Sequence, residues 1–274
     1  MRYLALALVA VLAIGATYSG MLDFGSQYVI ASGRFGADVV HKFGYNPDLG
    51  LAAAADEDIW DCPELGANTT YPYPATAQTL YISSSHAGDT MEIVVSGVDA
   101  NWGALDSIPV TLSGQTAVMV GSASNWLRPF RAQNLTSTAL QGDVYLHLDS
   151  VPTAGVPDTP LTDILACIVL GVEQTRMTHY TIPDGFTGFM THATTALSAA
   201  NTGGVDVTLL SRLTTGVFRP ATLWAATSGG TSIAGLPFDP PIMFPPKSDI
   251  KLRGDASANG MSLSGTFGVV LIRD

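Results

Sequence analysis

Residues 91–98 read MEIVVSGV and residues 143–148 read DVYLHL. In both, apolar side chains fall at alternate positions: Ile93 and Val95 in the first, Val144, Leu146 and Leu148 in the second. A period of two puts alternate side chains on one face of an extended chain, the pattern of a half-buried strand. Similar segments occur at 79–83 (with Leu80 and Ile82), 108–112, 116–120 and 127–132. They return at 177–182, 187–194, 205–211, 218–224, 249–253 and 262–272, the last carrying Leu263, Phe267, Val269 and Leu271. Gly, Asn, Asp and Ser clusters separate them. Short strands at roughly ten-residue spacing, with almost no helical periodicity, predict an all-β chain. Residues 161–170 form the one other helix candidate, although their last three residues would serve equally as strand.

The pattern divides the chain. Residues 61–150 read as a first antiparallel β-sandwich and 161–274 as a second in tandem, either plain or jelly-roll-like, because strand order is not legible from the pattern. Between them, VPTAGVPDTP at 151–160 reads as a Pro-rich linker. Residues 21–60 are broken up by glycines and read as an extended arm that packs along something else. Its candidate assembly residues are Lys42, Phe43, Tyr45, Asn46, Pro47 and Trp60. Residues 1–20 form a hydrophobic N-terminal segment with one arginine and an apolar run at 4–16. Three readings stay open for it: a cleaved secretory signal, a retained helix buried in an oligomer or touching a membrane, or an upstream stretch with Met21 as the true start.

Charged residues are 13% of the chain, against roughly 25% in ordinary globular proteins. The net charge is −11, and only Lys42, Lys247 and Lys251 are lysines. Nucleic-acid binding needs clustered Lys and Arg to displace counterions, and the closest approach, Arg128 with Arg131, is too thin. Cys62 and Cys167 could pair across the two halves, but the plainer reading is two unpaired, mostly buried thiols.

The chemistry-bearing residues are scattered. The five histidines lack the i,i+2 or i,i+4 spacing of a metal site, no G-x-S-x-G elbow is present, and no cofactor is expected. Asp99 reads as closing a hairpin turn, and Asp239-Pro240-Pro241 as a corner between strands. Asp56, Glu57 and Asp58 read as a solvated or capping run. Trp102 and Trp126 are candidate surface contacts that could stack on a host glycan, although such rings more often fill cores.

Several stretches resemble a family of virion structural proteins of tailed, mostly marine, bacteriophages. They are HKFGYNPD (41–48), EDIWD (57–61), VDANW (98–102), RPFRA (128–132), YTIPDG (180–185) and KSDIKLR (247–253). The resemblance is collinear from about residue 21 to the C-terminus, and residues 1–20 depart from it. It implies a non-enzymatic β-sandwich component of a phage particle. Such a protein would assemble with itself, by analogy as a trimer or higher ring, and with other virion proteins. Decoration of the capsid or a collar is the leading expectation. The alternatives are a receptor-binding adhesin and a double jelly-roll major capsid protein.

Overall fold

The structure is a computed structural model that describes residues 37–50, 57–66, 70–199, 203–214, 216–227 and 232–274. The hydrophobic segment, the apolar run at 4–16 and the first part of the arm lie outside these residues. In chain order the strands are β1 (Ala37–Leu49), β2 (Glu57–Asp58), β3 (Tyr81–Ser84), β4 (Glu92–Asp99), β5 (Ala104–Thr111) and β6 (Val118–Met119). Next come β7 (Trp126–Asn134), β8 (Val144–His147), β9 (Ile164–Ile168), β10 (Tyr180–Thr181) and β11 (Phe186–Ala199). The last are β12 (Gly204–Leu213), β13 (Arg219–Thr227), β14 (Ser232–Phe244), β15 (Ser248–Ala256) and β16 (Met261–Arg273). The chain is all-β with antiparallel sheets, as its alternation predicts. Among the described residues one short α-helix, α1 (Pro160–Asp163), and one 3-10 turn at Pro63–Leu65 interrupt it.

Four strands form a sheet in the order β1-β16-β11-β14. A facing sheet runs β15-β12-β13, with both β2 and β10 paired to the free edge of β15. The apolar faces of the two sheets meet in one core. Leu263, Phe267 and Val269 of β16 and Met190 and Ala193 of β11 face Val207 and Leu209 of β12 and Ile250 and Leu252 of β15. Assigning β2 and β10 together to one strand position makes this the strand order of an eight-stranded jelly roll, in which two Greek keys close over each other.

That shared position defines the architecture. Opposite β15, the register runs Glu57↔Gly254 and Asp58↔Arg253, and resumes at Tyr180↔Ile250 and Thr181↔Asp249. Between the two pieces, the Ile59 N–H donates to the Leu252 carbonyl and the Thr178 N–H to the Ile59 carbonyl. The chain therefore leaves the jelly roll after Ile59 and re-enters it at Thr178, within a single strand position. Everything between is a second, smaller sandwich. Its sheets, β6-β3-β8-β9 and β5-β4-β7, enclose Ile82, Ile93, Val95, Trp126, Val144 and Leu146. Two of its pairings, β4–β5 and β8–β9, join consecutive strands, and its strand order is not that of a second jelly roll.

Three expectations are corrected. The two sandwiches are nested rather than consecutive, because the two-residue halves of the split strand carry no period of their own. The arm, from Ala37 onward, is an edge strand of this chain's own sheet, paired to β16 from Ala37↔Ile272 to Leu49↔Met261. Gly44 is required there: a Cβ would collide with the Ile59 carbonyl at the split. Residues 151–160 are not a linker between the sandwiches. They fold back as a turn whose Gly155 carbonyl accepts from the Ser83 hydroxyl, and the next strand, β9, still pairs with β8. The candidate helix at 161–170 is accordingly α1 followed by β9.

The cysteines are joined. Cys62 and Cys167 form a disulfide with Cα atoms 5.4 Å apart, correcting the unpaired reading. All four residues of β8 are buried, and Tyr145, the β8 partner of Cys167, donates to Glu64 two residues beyond Cys62. The bridge therefore clamps the Cys62–Leu65 segment against this sheet. Disulfides typically contribute about 2–4 kcal/mol. Replacing both cysteines with serine should lower the urea-unfolding free energy by about that amount, and thiol titration of the unreduced protein should find no free cysteine.

Candidate functional site

Six charged residues of this charge-poor chain, Asp58, Arg128, Arg212, Asp249, Lys251 and Arg253, converge on the split strand. Asp58, at the end of the outgoing half, is fully buried. Its carboxylate accepts from Lys251 Nζ at 2.6 and 2.7 Å, Arg253 Nε at 3.2 Å, the Tyr71 N–H at 2.9 Å and His179 Nε2 at 3.2 Å. Alternation on β15 explains the geometry: Asp249, Lys251 and Arg253 share the face opposite Ile250 and Leu252, which fill the jelly-roll core. Asp249, also fully buried, accepts from Thr181 Oγ1 at 2.7 Å and from Arg212 at 2.9 Å, and forms an ion pair with Arg128 at 3.4 Å. Arg128 comes from β7 of the inserted sandwich. The cluster thus binds both halves of the split strand, the jelly-roll sheet and the insert.

Aromatic rings close the cluster. Tyr73 packs under Arg212 at 4.3 Å and Arg128 at 5.2 Å, Phe218 lies 4.5 Å from Arg212 and 4.6 Å from Lys251, and Trp102 lies 5.6 Å from Arg128. Tyr71 and Trp60 flank His179, with ring centres at 4.6 and 5.9 Å. Cations over ring faces gain quadrupole attraction that grows as water is excluded. Burial alone would raise the pKa of Asp58, but Lys251 and His179 outweigh it and hold the carboxyl well below the usual range. Burial pushes His179 down despite its bond to Asp58, so the ring is neutral and donates from Nε2.

The arm candidates fall on several surfaces. Lys42 is buried between β1 and β7, donates to the Phe130 carbonyl and lies 5.3 Å from the Phe130 ring centre. Burial, and then the charge of Arg131, push its ammonium down to about 7. Asn46 is buried and donates to Glu57 at 3.0 Å. Trp60 is in the core of the insert, Tyr45 lies 4.6 Å from Arg176, and Phe43 and Pro47 are exposed. These side chains mostly fasten the strand to its own chain. Trp126 is also corrected as a surface contact: it is 1% exposed and its Nε1 donates to the Val120 carbonyl at 2.7 Å. Trp102 is half-buried against the jelly-roll core. Glu57 and Asp58 are buried rather than a solvated run, and Asp56 lies outside the described residues. Asp239-Pro240-Pro241 lies inside β14, not at a corner. Asp99 does close its turn, accepting from the Asn101 and Gly103 N–H groups.

A different surface is exposed and apolar. The edge strands β13 and β14 and the β12–β13 connection present Leu213, Val217, Leu223 and Met243, each more than half exposed. Leu213, Val217 and Met243 line one open concavity of about 550 Å³. From 213 to 246 the only charged residues are Arg219 and Asp239.

No family model and no curated protein matches the chain. Among solved structures it is similar to infectious bursal disease virus Gx strain, at 10% identity and a TM-score of 0.23 over 86% of this chain and 72% of that one. It is also similar to the cowpea mosaic virus top component (10%, TM-score 0.19, 72% of this chain and 82% of that one). A third is a Bacillus thuringiensis Cry1Da tryptic core variant (8%, TM-score 0.19, 81% and 53%). Likenesses this faint carry nothing about function.

Removing one partner of a buried, hydrogen-bonded charge pair costs about 3–5 kcal/mol, because the other charge is stranded. Asp58→Asn and Lys251→Met should each destabilise by about that much, and the double variant by clearly less than the sum. Urea unfolding of the four proteins reads the coupling directly; additive losses would separate the two residues. Acid should act in two stages. His179 and His147 have lowered folded pKa values, that of His147 reaching about 4 through burial. The unfolded chain therefore takes up more protons below about 6.5, and stability falls from there. Asp58 has a depressed folded value, so its contribution is lost further below about 4. Asp58→Asn should blunt the second stage and, by removing the carboxylate that holds the His179 pKa up, keep or deepen the first.

Proposed function

We propose that this chain is a non-enzymatic structural protein of a bacteriophage virion that assembles with copies of itself and with other virion proteins. The observation that carries the reading is the exposed apolar surface along β13 and β14. Contiguous apolar surface on a folded chain marks a site of association, and an edge strand with unpaired backbone groups is a template for another chain. Pro220, Pro237, Pro240 and Pro241 interrupt both edges, which disfavours open-ended strand addition and favours side-chain packing between fixed copies. A second copy of this chain is the partner proposed for this surface.

Two further features support the reading. The jelly roll is an architecture used by capsid proteins, as well as by lectins and cupins, and here it carries a whole sandwich in one strand position. The collinear stretches from 41–48 to 247–253 resemble virion proteins and supply the particle. The six stretches of that resemblance include the two strands that build the charged cluster, EDIWD and KSDIKLR. Decoration of the capsid or a collar is the role proposed within the particle. The adhesin reading is weaker, since Trp126 is in a core.

Purified particles should contain the chain in stoichiometric copies by quantitative mass spectrometry and cryo-EM, and its absence would defeat the proposal. In solution, Leu223→Glu with Met243→Glu should shift sedimentation from oligomer to monomer while the circular dichroism of the strands is kept. An unchanged oligomer would exclude this surface as the contact.

A further inference from the structure

The register brings together two histidines that sequence spacing keeps 151 positions apart. In the β1-β16-β11 sheet, His41 pairs with Gly268 and Gly268 with His192, so one cross-strand row reads His-Gly-His. The central position has no side chain, and the His192 ring occupies the space: a Cβ on Gly268 would lie 2.5 Å from its Cε1. The two ring centres are 6.3 Å apart with planes inclined at 43°. His41 is exposed and His192 half-buried, so the pair is open to solvent.

A hydroxyl stands against Nδ1 of His192. Thr191 stands beside it because the strand bulges between Met190 and His192. Its hydroxyl donates to the Gly268 carbonyl at 3.4 Å and lies 3.1 Å from His192 Nδ1. In the Nδ1–H tautomer the ring donates to Oγ1, and Nε2 keeps its lone pair for a metal. A hydrogen bond that fixes one ring nitrogen and frees the other is the arrangement around metal-ligating histidines.

We infer that His41 and His192 form a two-imidazole site for a divalent transition metal ion on the outer face of the β1-β16-β11-β14 sheet. Metal–nitrogen bonds of about 2.0–2.1 Å place two imidazoles on one ion with ring centres about 5 to 6.4 Å apart, depending on the angle at the metal. The observed 6.3 Å lies at the wide, near-linear end of that span, so a tetrahedral site requires the exposed His41 ring to move about 1 Å toward His192. Imidazole selects zinc, nickel or copper over calcium or magnesium. Water completes the coordination, since no group of three or more His, Cys, Asp or Glu suited to a metal is present among the described residues.

The test uses the full chain, free of affinity tags, titrated with Zn²⁺ and Ni²⁺ by calorimetry, with circular dichroism to confirm each variant's fold. One saturable ion per chain is expected. Binding should be lost in both His41→Ala and His192→Ala and kept in His86→Ala, which alters an exposed histidine elsewhere. Thr191→Val should weaken it by about tenfold, the effect of removing an outer-shell partner. Gly268→Ala should also weaken it by displacing the His192 ring. Absence of binding in the parent protein, or binding that survives either histidine variant, would overturn the site.

Discussion

A buried carboxylate governs this structure. Asp58 stands where the chain leaves the jelly roll, and stripped of its partners its charge would cost several kcal/mol to bury. Those partners come from everywhere the fold must agree: Lys251 and Arg253 from the neighbouring strand, His179 from the returning half of the split strand, and the Tyr71 N–H from the start of the insert. Asp249 repeats the logic with Arg128 and Arg212. The cluster is satisfied only when both sandwiches are in place, so it makes each a condition of the other. A two-residue strand such as β2 has too little backbone pairing to hold a position alone. The charge pairs and the Ile59–Leu252 bond supply what its length does not.

The same cluster explains the surface. Two of the three lysines, Lys42 and Lys251, are buried, as are Asp58, Asp249 and Arg128. A chain with few charges that places these inside has fewer left for its exterior, and the edge formed by β13 and β14 is the result. Internal cohesion and an apolar outer edge are thus two consequences of one distribution of charge.

The alternating strands were legible because each carries its own two-residue period: residues 91–98, 143–148 and 262–272 became β4, β8 and β16. What failed depended on partners distant in sequence. β1 reads as a glycine-broken arm because its buried face includes Gly44 and Asn46, which make sense only against β16 and the split strand. β14 is hidden by three prolines, tolerated because it is an edge. Nesting was invisible because Glu57–Asp58 and Tyr180–Thr181 are too short to show a pattern. The charged site left a trace that could have been read. In KSDIKLR, Asp249, Lys251 and Arg253 alternate with Ile250 and Leu252, which puts three charges on one face of a strand in a chain otherwise poor in charge. The Cys62–Cys167 pair and the His41–Gly268–His192 row left none, since both depend on which strands become neighbours.

The central claim is that the charged cluster makes two nested sandwiches one cooperative unit. Native-state hydrogen exchange of the intact protein at increasing denaturant tests it most directly, because opening free energies report which elements unfold together. Amides of β8 in the insert and of β16 in the jelly roll should converge on one shared opening free energy. An insert that opens at a distinctly lower free energy while β11 and β16 stay protected would contradict the account.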